Sequence, residues 1–334
     1  MDIVTQGILG ATVAQSVSRK EHVRLATLIG LVSGIIADSD VFIQSSSDPL
    51  LALEYHRHFT HSILFIPVGA LVAFFLLWPF LRGKLPLRYL YLYCFFGYLL
   101  SGFIDACTSY GTYLLWPVSD ARISWNVISI VDPAFTSLLL LGVVAGFRSS
   151  NTSYSRLGIV LAGCYLLIAV FQLNRAEESI YELAEKRDQV IEKIVIKPTM
   201  GNILLWRSVY LSEDKFHIDV VRVGLSKRVY QNVSIEKFDM TKTLPELDVD
   251  SVLARDIRRF EYFSDGYVSQ YPGKPDILGD VRYALNPLSA TPLWGIELNL
   301  GDENQHVKYN AYRYVSNETR RQFVNMLLNR EIGD

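Results

Sequence analysis

Three of the chain's six histidines fall within one six-residue stretch, in Tyr55-His56-Arg57-His58-Phe59-Thr60-His61-Ser62, where an apolar run begins. Neutral imidazoles suit zinc or a similar borderline metal, above all when carboxylates can complete the coordination sphere. If the stretch is helical, His58 and His61 share a face; if it is a loop capped by Thr60, His56 swings back beside His61. Carboxylates stand ready in Ile36-Ala37-Asp38-Ser39-Asp40, in Gly102-Phe103-Ile104-Asp105 and in Ile130-Val131-Asp132-Pro133. An Asp near a bilayer centre costs about 2.5 to 3.5 kcal/mol, so such residues usually have a partner or a task. The plainer alternatives are an interfacial His-rich turn and isolated helix caps.

The elements that must position these groups are apolar. Runs long enough to cross or nearly cross a hydrocarbon layer occupy Ser62–Leu81, Leu87–Ile104, Val127–Phe147 and Leu157–Leu173. Two shorter Gly-containing segments, Ile3–Val17 and Val23–Ala37, flank the basic turn 18–22 and predict a tight hairpin. Residues 1–173 carry 10 Lys/Arg and 9 Asp/Glu, whereas residues 174–334 carry 22 and 25, a soluble density of charge. The expected fold is therefore an all-α multi-pass membrane bundle of about six helices (1–173), a polar helical linker (174–196) and a soluble α+β domain (197–334). In that domain the pattern predicts strands at Ile203–Tyr210, Phe216–Val223, Val281–Leu285 and Trp294–Leu300, and helices at Arg255–Phe263 and Glu318–Asn329.

Charge placement orients the bundle. Eight of the ten bases fall on the turns of one side, which the positive-inside rule makes cytoplasmic. Eight of the nine acids fall on the other side, beside the histidines, so metal-competent groups from separate segments are expected in one outer layer. Arg57 and Arg122, the only bases there, could hold a phosphate by bidentate hydrogen bonds or neutralise neighbouring acids. Gly111 would allow a tight turn in Asp105–Thr112, whose hydroxyls could support a metal-bound carboxylate. A net charge of −2 without a basic stripe argues against nucleic-acid binding. The chain carries no Gly-rich phosphate loop, nucleophile elbow or CxxC pair, and its three cysteines make no disulfide framework.

These motifs resemble those of a family of bacterial membrane-bound, metal-dependent hydrolases described as LexA-regulated inner-membrane proteins. The matching pieces are Asp2–Gly7 with Gly10-Ala11, Ala37–Asp40, His56–Ser62, and Asp105–Thr112 with Trp116-Pro117; Pro198–Arg207 and Phe263–Tyr267 match more weakly. The family is distantly similar to zinc-dependent phospholipases C and single-strand nucleases. The resemblance implies that Asp38 or Asp40, His56, His61 and Asp105 hold metal. This chain departs from the family pattern at Ser101 and Gln6, where members have His, and at His58, where many have Gly.

The expected function is hydrolysis of a phosphoester or lipid-type substrate at the outer face of the inner membrane, through water activated by a divalent metal, with zinc the expected ion. Asp40, His56, His58, His61 and Asp105 are the candidate ligands, Asp38 and Asp132 the candidate bases or second-metal ligands, and Arg57 and Arg122 the candidate substrate contacts. Membrane lipids are the expected surroundings, and the soluble domain's protein partner is left open. The competing expectations are an ion-coupled transporter, or a non-catalytic anchor with a structural metal and a partner-binding domain.

Overall fold

The computed structural model describes residues 1–331. The chain divides into two units: Met1–Ile43, Tyr55–Phe171 and Met200–Asn202 form one, and Gln44–Glu54, Gln172–Thr199 and the residues from Ile203 onward form the other.

The first unit is helical. Its helices are α1 (Ile3–Ser16), α2 (Val23–Ala37), α4 (Ile66–Leu81), α5 (Leu87–Tyr98), α6 (Ser101–Ala106), α7 (Pro133–Ser149) and the start of α8 (Ser153–Lys186), while α3 (Leu51–Tyr55) is a single turn at the junction. Among the described residues, four stretches are long and apolar enough to cross a membrane: Lys20–Phe42, Ile63–Leu81, Leu87–Ala106 and Ser153–Lys186. Phe75, Leu76 and Phe80 on α4, and Leu167 and Phe171 on α8, are exposed, as lipid-facing side chains would be.

Helices α1, α2 and α5 meet backbone to backbone. A Cβ on Gly10 would stand 2.4 Å from the Gly30 carbonyl oxygen and 2.5 Å from that of Gly97. Small residues allow this approach, which replaces the hydrophobic drive that lipid removes. Ala14, Ala26, Ile29, Leu90 and Tyr93 fill the interior beside it.

Two expectations about this unit change. The run Val127–Phe147 is helical only from Pro133, because Asp132 caps α7 and proline pushes the preceding residue out of the helical region; Val127 and Ile128 instead donate to the Cys107 carbonyl. Of the about six expected helices, four lie in candidate spans among the described residues and α7 is a shorter apolar helix. Meanwhile the apolar run at 157–173 and the polar stretch after it form one continuous helix ending at Lys186, and β1 begins at Lys193, where helical linker was expected.

The second unit is built on two four-stranded antiparallel sheets, each ordered as in the chain. The first holds β1 (Lys193–Pro198), β2 (Leu205–Ser212), β3 (Lys215–Val223) and β4 (Lys227–Glu236). The second holds β5 (Val268–Tyr271), β6 (Lys274–Asp280), β7 (Trp294–Glu297) and β8 (Lys308–Ala311). Helices α9 (Met240–Thr243), α10 (Val252–Phe263) and α11 (Asn317–Leu327) accompany them. Alternation read from the sequence matches β2, β3 and β7, but Val281–Leu285 is a turn: Tyr283 N–H donates to the Asp280 carbonyl and Arg282 folds back onto Asp280. Leu50, from the short segment Gln44–Glu54, is fully buried in this unit's core with Leu253, Ile257, Phe260, Leu278 and Ile296.

Candidate metal centre

The two carboxylates of the second helix are delivered by a change of helical pitch. After Ala37 the chain tightens into a 3-10 turn, Asp38–Phe42, which buries Asp38 and Asp40. A second 3-10 turn, Phe59–His61, buries Thr60 and His61, and the short α6 brings in Asp105, which is fully buried.

These pieces converge on the His61 ring. Its Nε2 lies 3.2 Å from Asp38 Oδ1 and 3.0 Å from Asp105 Oδ2, and its Nδ1 lies 3.4 Å from Asp40 Oδ2 and 2.9 Å from the Thr60 hydroxyl. Asp38, His61 and Asp105 each place a ligand atom within 4.8 Å of one another. His56 joins on the Asp40 side, with Nδ1 3.5 Å from Asp40 Oδ1. Burial, reinforced by the Arg57 charge and opposed by Asp40, pushes the His56 imidazole below its usual range and favours the neutral, ligating form.

The constellation is held from behind. Arg57, in the left-handed region at φ 60°, donates its backbone N–H to Asp40 Oδ2 at 2.6 Å. Its guanidinium lies 3.1 Å from Asp105 Oδ2 through Nε and donates to Thr108 at 2.7 Å. The Thr60 hydroxyl donates to Asp40 Oδ2, and the Tyr98 hydroxyl donates to the Thr60 carbonyl at 2.6 Å. The backbone of α6 touches His61 so closely that a Cβ on Gly102 would lie 2.0 Å from the His61 carbonyl oxygen. The Met1 nitrogen also contacts Asp105 Oδ1.

Donor chemistry fits a divalent cation. Asp40 Oδ1 and Asp105 Oδ2 are buried and make no well-directed hydrogen bond, although His56 Nδ1 lies 3.5 Å from the first and Arg57 Nε and His61 Nε2 lie 3.1 and 3.0 Å from the second. Three carboxylates gather around the Arg57 guanidinium and the Met1 amino group, an imbalance that is costly in a buried site without a further cation. Asp38, Asp105 and His61 Nε2 would hold it, with Asp40 and His56 forming the adjoining set. The mixed nitrogen and oxygen donors are those zinc accepts.

Three of the candidate residues, His58, Asp132 and Arg122, lie outside this cluster, and a fourth, Arg57, lies in it as a support. His58 packs among Tyr113, Trp116 and Tyr55, with ring centroids at 4.4, 5.5 and 5.8 Å, and is absent from the carboxylate cluster. Asp132 caps α7 by accepting from Phe135 N–H at 3.0 Å and also accepts from the Tyr165 hydroxyl at 2.8 Å, so both its oxygens have structural donors. Arg57 is 3% exposed and serves as an internal strut to Asp105 and Thr108 instead of presenting its guanidinium to a ligand. Arg122 donates to the Tyr110 carbonyl at 2.7 Å and lies over the Tyr110 ring, closing the loop in which Gly111 takes φ 95°. The Thr108 hydroxyl supports Arg57 in place of a carboxylate. Tyr98 and Gly102 carry no local signal, being one aromatic and one glycine inside apolar runs; only contact with the Thr60-His61 backbone gives them a role.

Two of the three positions that differ from the expected family pattern are neighbours in space, since Gln6 Nε2 donates to the Ser101 carbonyl at 3.3 Å and both residues are buried. Neither the curated proteins nor the solved structures include a match. A family model described as YdjM inner membrane protein matches residues 1–176, the stretch that contains the candidate spans up to α8 and every residue around His61. The apolar helices and this match agree on a membrane protein with a β-sheet-rich domain after its helical part, and the chain belongs to the YdjM inner membrane protein family.

Proposed function

We propose that the helical unit is a membrane-embedded, metal-dependent hydrolase acting on a phosphoester or lipid-type substrate. The observation that carries the reading is the convergence of three buried carboxylates on the His61 imidazole, two of their oxygens lacking a well-directed hydrogen bond. A bound zinc would lower the pKa of a coordinated water toward neutrality and polarise the scissile ester.

The chain's own groups supply the rest. Asp38, His61 and Asp105 bind the cation, and Arg57 and Thr60 fix Asp105 and Asp40 so that neither carboxylate rotates away. His56, whose ring is one-third exposed against the fully buried Asp40, is the group placed to accept or return a proton at the edge of the site. Asp40 orients that ring through Nδ1. The concentration of basic residues on the opposite turns supports a multi-pass arrangement with the site toward the extracytoplasmic face.

Metal analysis of the purified full chain, with hydrolysis assays on phosphodiesters and phospholipids, tests the reading. Wild type should carry zinc and turn over substrate, whereas His61→Ala and Asp105→Asn should lose both. Undiminished hydrolysis by the metal-free double variant would sink the proposal. Bound zinc without turnover on either substrate class would favour the structural-metal anchor.

A further inference from the structure

The segment between the two ligand-bearing turns does not belong to the helical unit. The chain leaves that unit after Ile43, returns to it at Tyr55, and spends Gln44–Glu54 in the β-sheet-rich unit. There Leu50 is fully buried in the core beside Leu253, Ile257 and Phe260. One guanidinium grips the segment at both shoulders. Arg259, on α10, donates to both Asp48 oxygens at 3.0 and 2.9 Å and to Glu54 Oε1 at 2.7 Å. Its Nη1 also donates to Asp256 Oδ1 at 3.0 Å, while Asp256 Oδ2 accepts from the Val307 N–H and lies 2.9 Å from His306 Nδ1. Planar bidentate pairs of this kind fix orientation as well as distance.

Little chain separates this grip from the candidate ligands on one side: His56 lies two residues after Glu54, whereas Asp40 lies eight before Asp48. At no more than about 3.6 Å per residue, two residues span at most about 7 Å, so a shift of Glu54 by a few ångströms must be taken up at His56. The loop is closed on the other side by the Arg57 N–H to Asp40 Oδ2 hydrogen bond, which joins residues 17 apart.

We propose that Arg259 is a positioning residue for the His61 site: by holding Asp48 and Glu54 it fixes the latter part of the Gln44–Glu54 strap and so the place where the chain enters the turns that carry His56 and His61. Its consequence for metal affinity rests on the metal-centre reading; its consequence for the order of those turns does not.

The test uses the full chain in detergent or nanodiscs, comparing wild type with Arg259→Gln, Arg259→Lys and the double variant Asp48→Asn/Glu54→Gln. Zinc titration and amide hydrogen exchange are the two readouts. In Arg259→Gln, exchange across 55–62, and at the Arg57 amide above all, should accelerate at least about tenfold, and zinc affinity should fall by about tenfold, the lower end of the effect of supporting residues on metal sites. Strands β2 and β3 should stay protected, which separates positioning from unfolding. Arg259→Lys should recover part of the protection, because it keeps the charge and loses the fork. The double variant, which leaves the Arg259 to Asp256 contact in place, should reproduce the loss and decides the matter if Arg259→Gln disrupts α10. Unchanged exchange across 55–62 when the strap itself has loosened overturns the proposal. Absence of zinc from wild type overturns the metal-centre reading alone, and the exchange comparison still tests Arg259.

Discussion

Two groups among the described residues bring carboxylate and imidazole atoms within 4.8 Å of one another: Asp38, His61 and Asp105 in the helical unit, and Asp48, Asp256 and His306 in the β-sheet-rich unit. Residue types and spacing scarcely distinguish them. Their donors do. In the second group Arg259 serves Asp48 on both oxygens and Asp256 on one, and the remaining Asp256 oxygen takes the Val307 amide. Asp280, elsewhere in the same unit, is saturated in the same way by Arg282 through Nε and Nη2. In the first group, and in Asp40 beside it, the fit is looser: Asp105 Oδ2 and Asp40 Oδ1 are buried with cationic or imidazole nitrogens 3.0 to 3.5 Å away but no well-directed hydrogen bond. A saturated cluster is a clasp, because its electrostatics are already closed; an unsaturated buried one keeps capacity for a ligand.

The comparison breaks or sharpens under substitution. The largest effect is expected in the saturated unit, where Asp280→Asn leaves Arg282 and the neighbouring buried Arg207 without their carboxylate. Chemical denaturation should show a loss of roughly 3 to 5 kcal/mol, with zinc content unchanged. Asp38→Asn should do the reverse: zinc affinity falls by about 100-fold, some 2.7 kcal/mol, while the metal-free protein is no less stable, since one of three crowded carboxylates is gone. A large stability loss in metal-free Asp38→Asn would show that this cluster is a clasp after all. Gly102→Ala comes next, because its Cβ must displace the His61 carbonyl; a melting scan should register about 1 to 3 kcal/mol, and zinc content should drop with it.

The smallest effect is a pH dependence. Partial burial pushes the Asp48 carboxyl up, but the hydrogen bonds and charge of Arg259 outweigh it and hold the group below the usual carboxylate range. A carboxyl depressed in the folded state contributes stability above its unfolded pKa, near 4, and loses it as pH falls through the folded value. Asp48→Asn should therefore cost of order 1 kcal/mol at neutral pH and flatten the acid limb of the stability curve below about pH 4. An acid limb identical to wild type would remove Asp48 from the clasp.

Much of the site could be read before any fold was known. Asp38, Asp40, His56, His61 and Asp105 each sit at the end of an apolar run or in a turn beside one, and burying such groups is costly enough to mark them individually. Which of the nearby polar residues stay out was not readable in the same way. His58 lies two residues from His56 and three from His61, yet the 3-10 turn and the left-handed Arg57 send it into an aromatic cluster. Asp132 has the same chemical look as Asp105, but proline after it makes it a cap. Strand pattern was similarly partial: β2 and β3 are long and apolar, whereas β1 falls in the stretch expected to be helical linker and β4 and β8 are largely polar.

By itself, the sequence determined what depends on local composition and period: an apolar helical part, a charged domain after it, and a gathering of acids and histidines at helix ends. The tertiary structure alone decided what depends on contact between distant residues. It chose Arg57 as a strut and not a substrate hook, set Gly102 against His61, and gave the strap between the two ligand turns to the other unit. The physical reason is that the burial cost of a polar group is written in its own chemistry, whereas the donor that settles it comes from wherever the fold brings one.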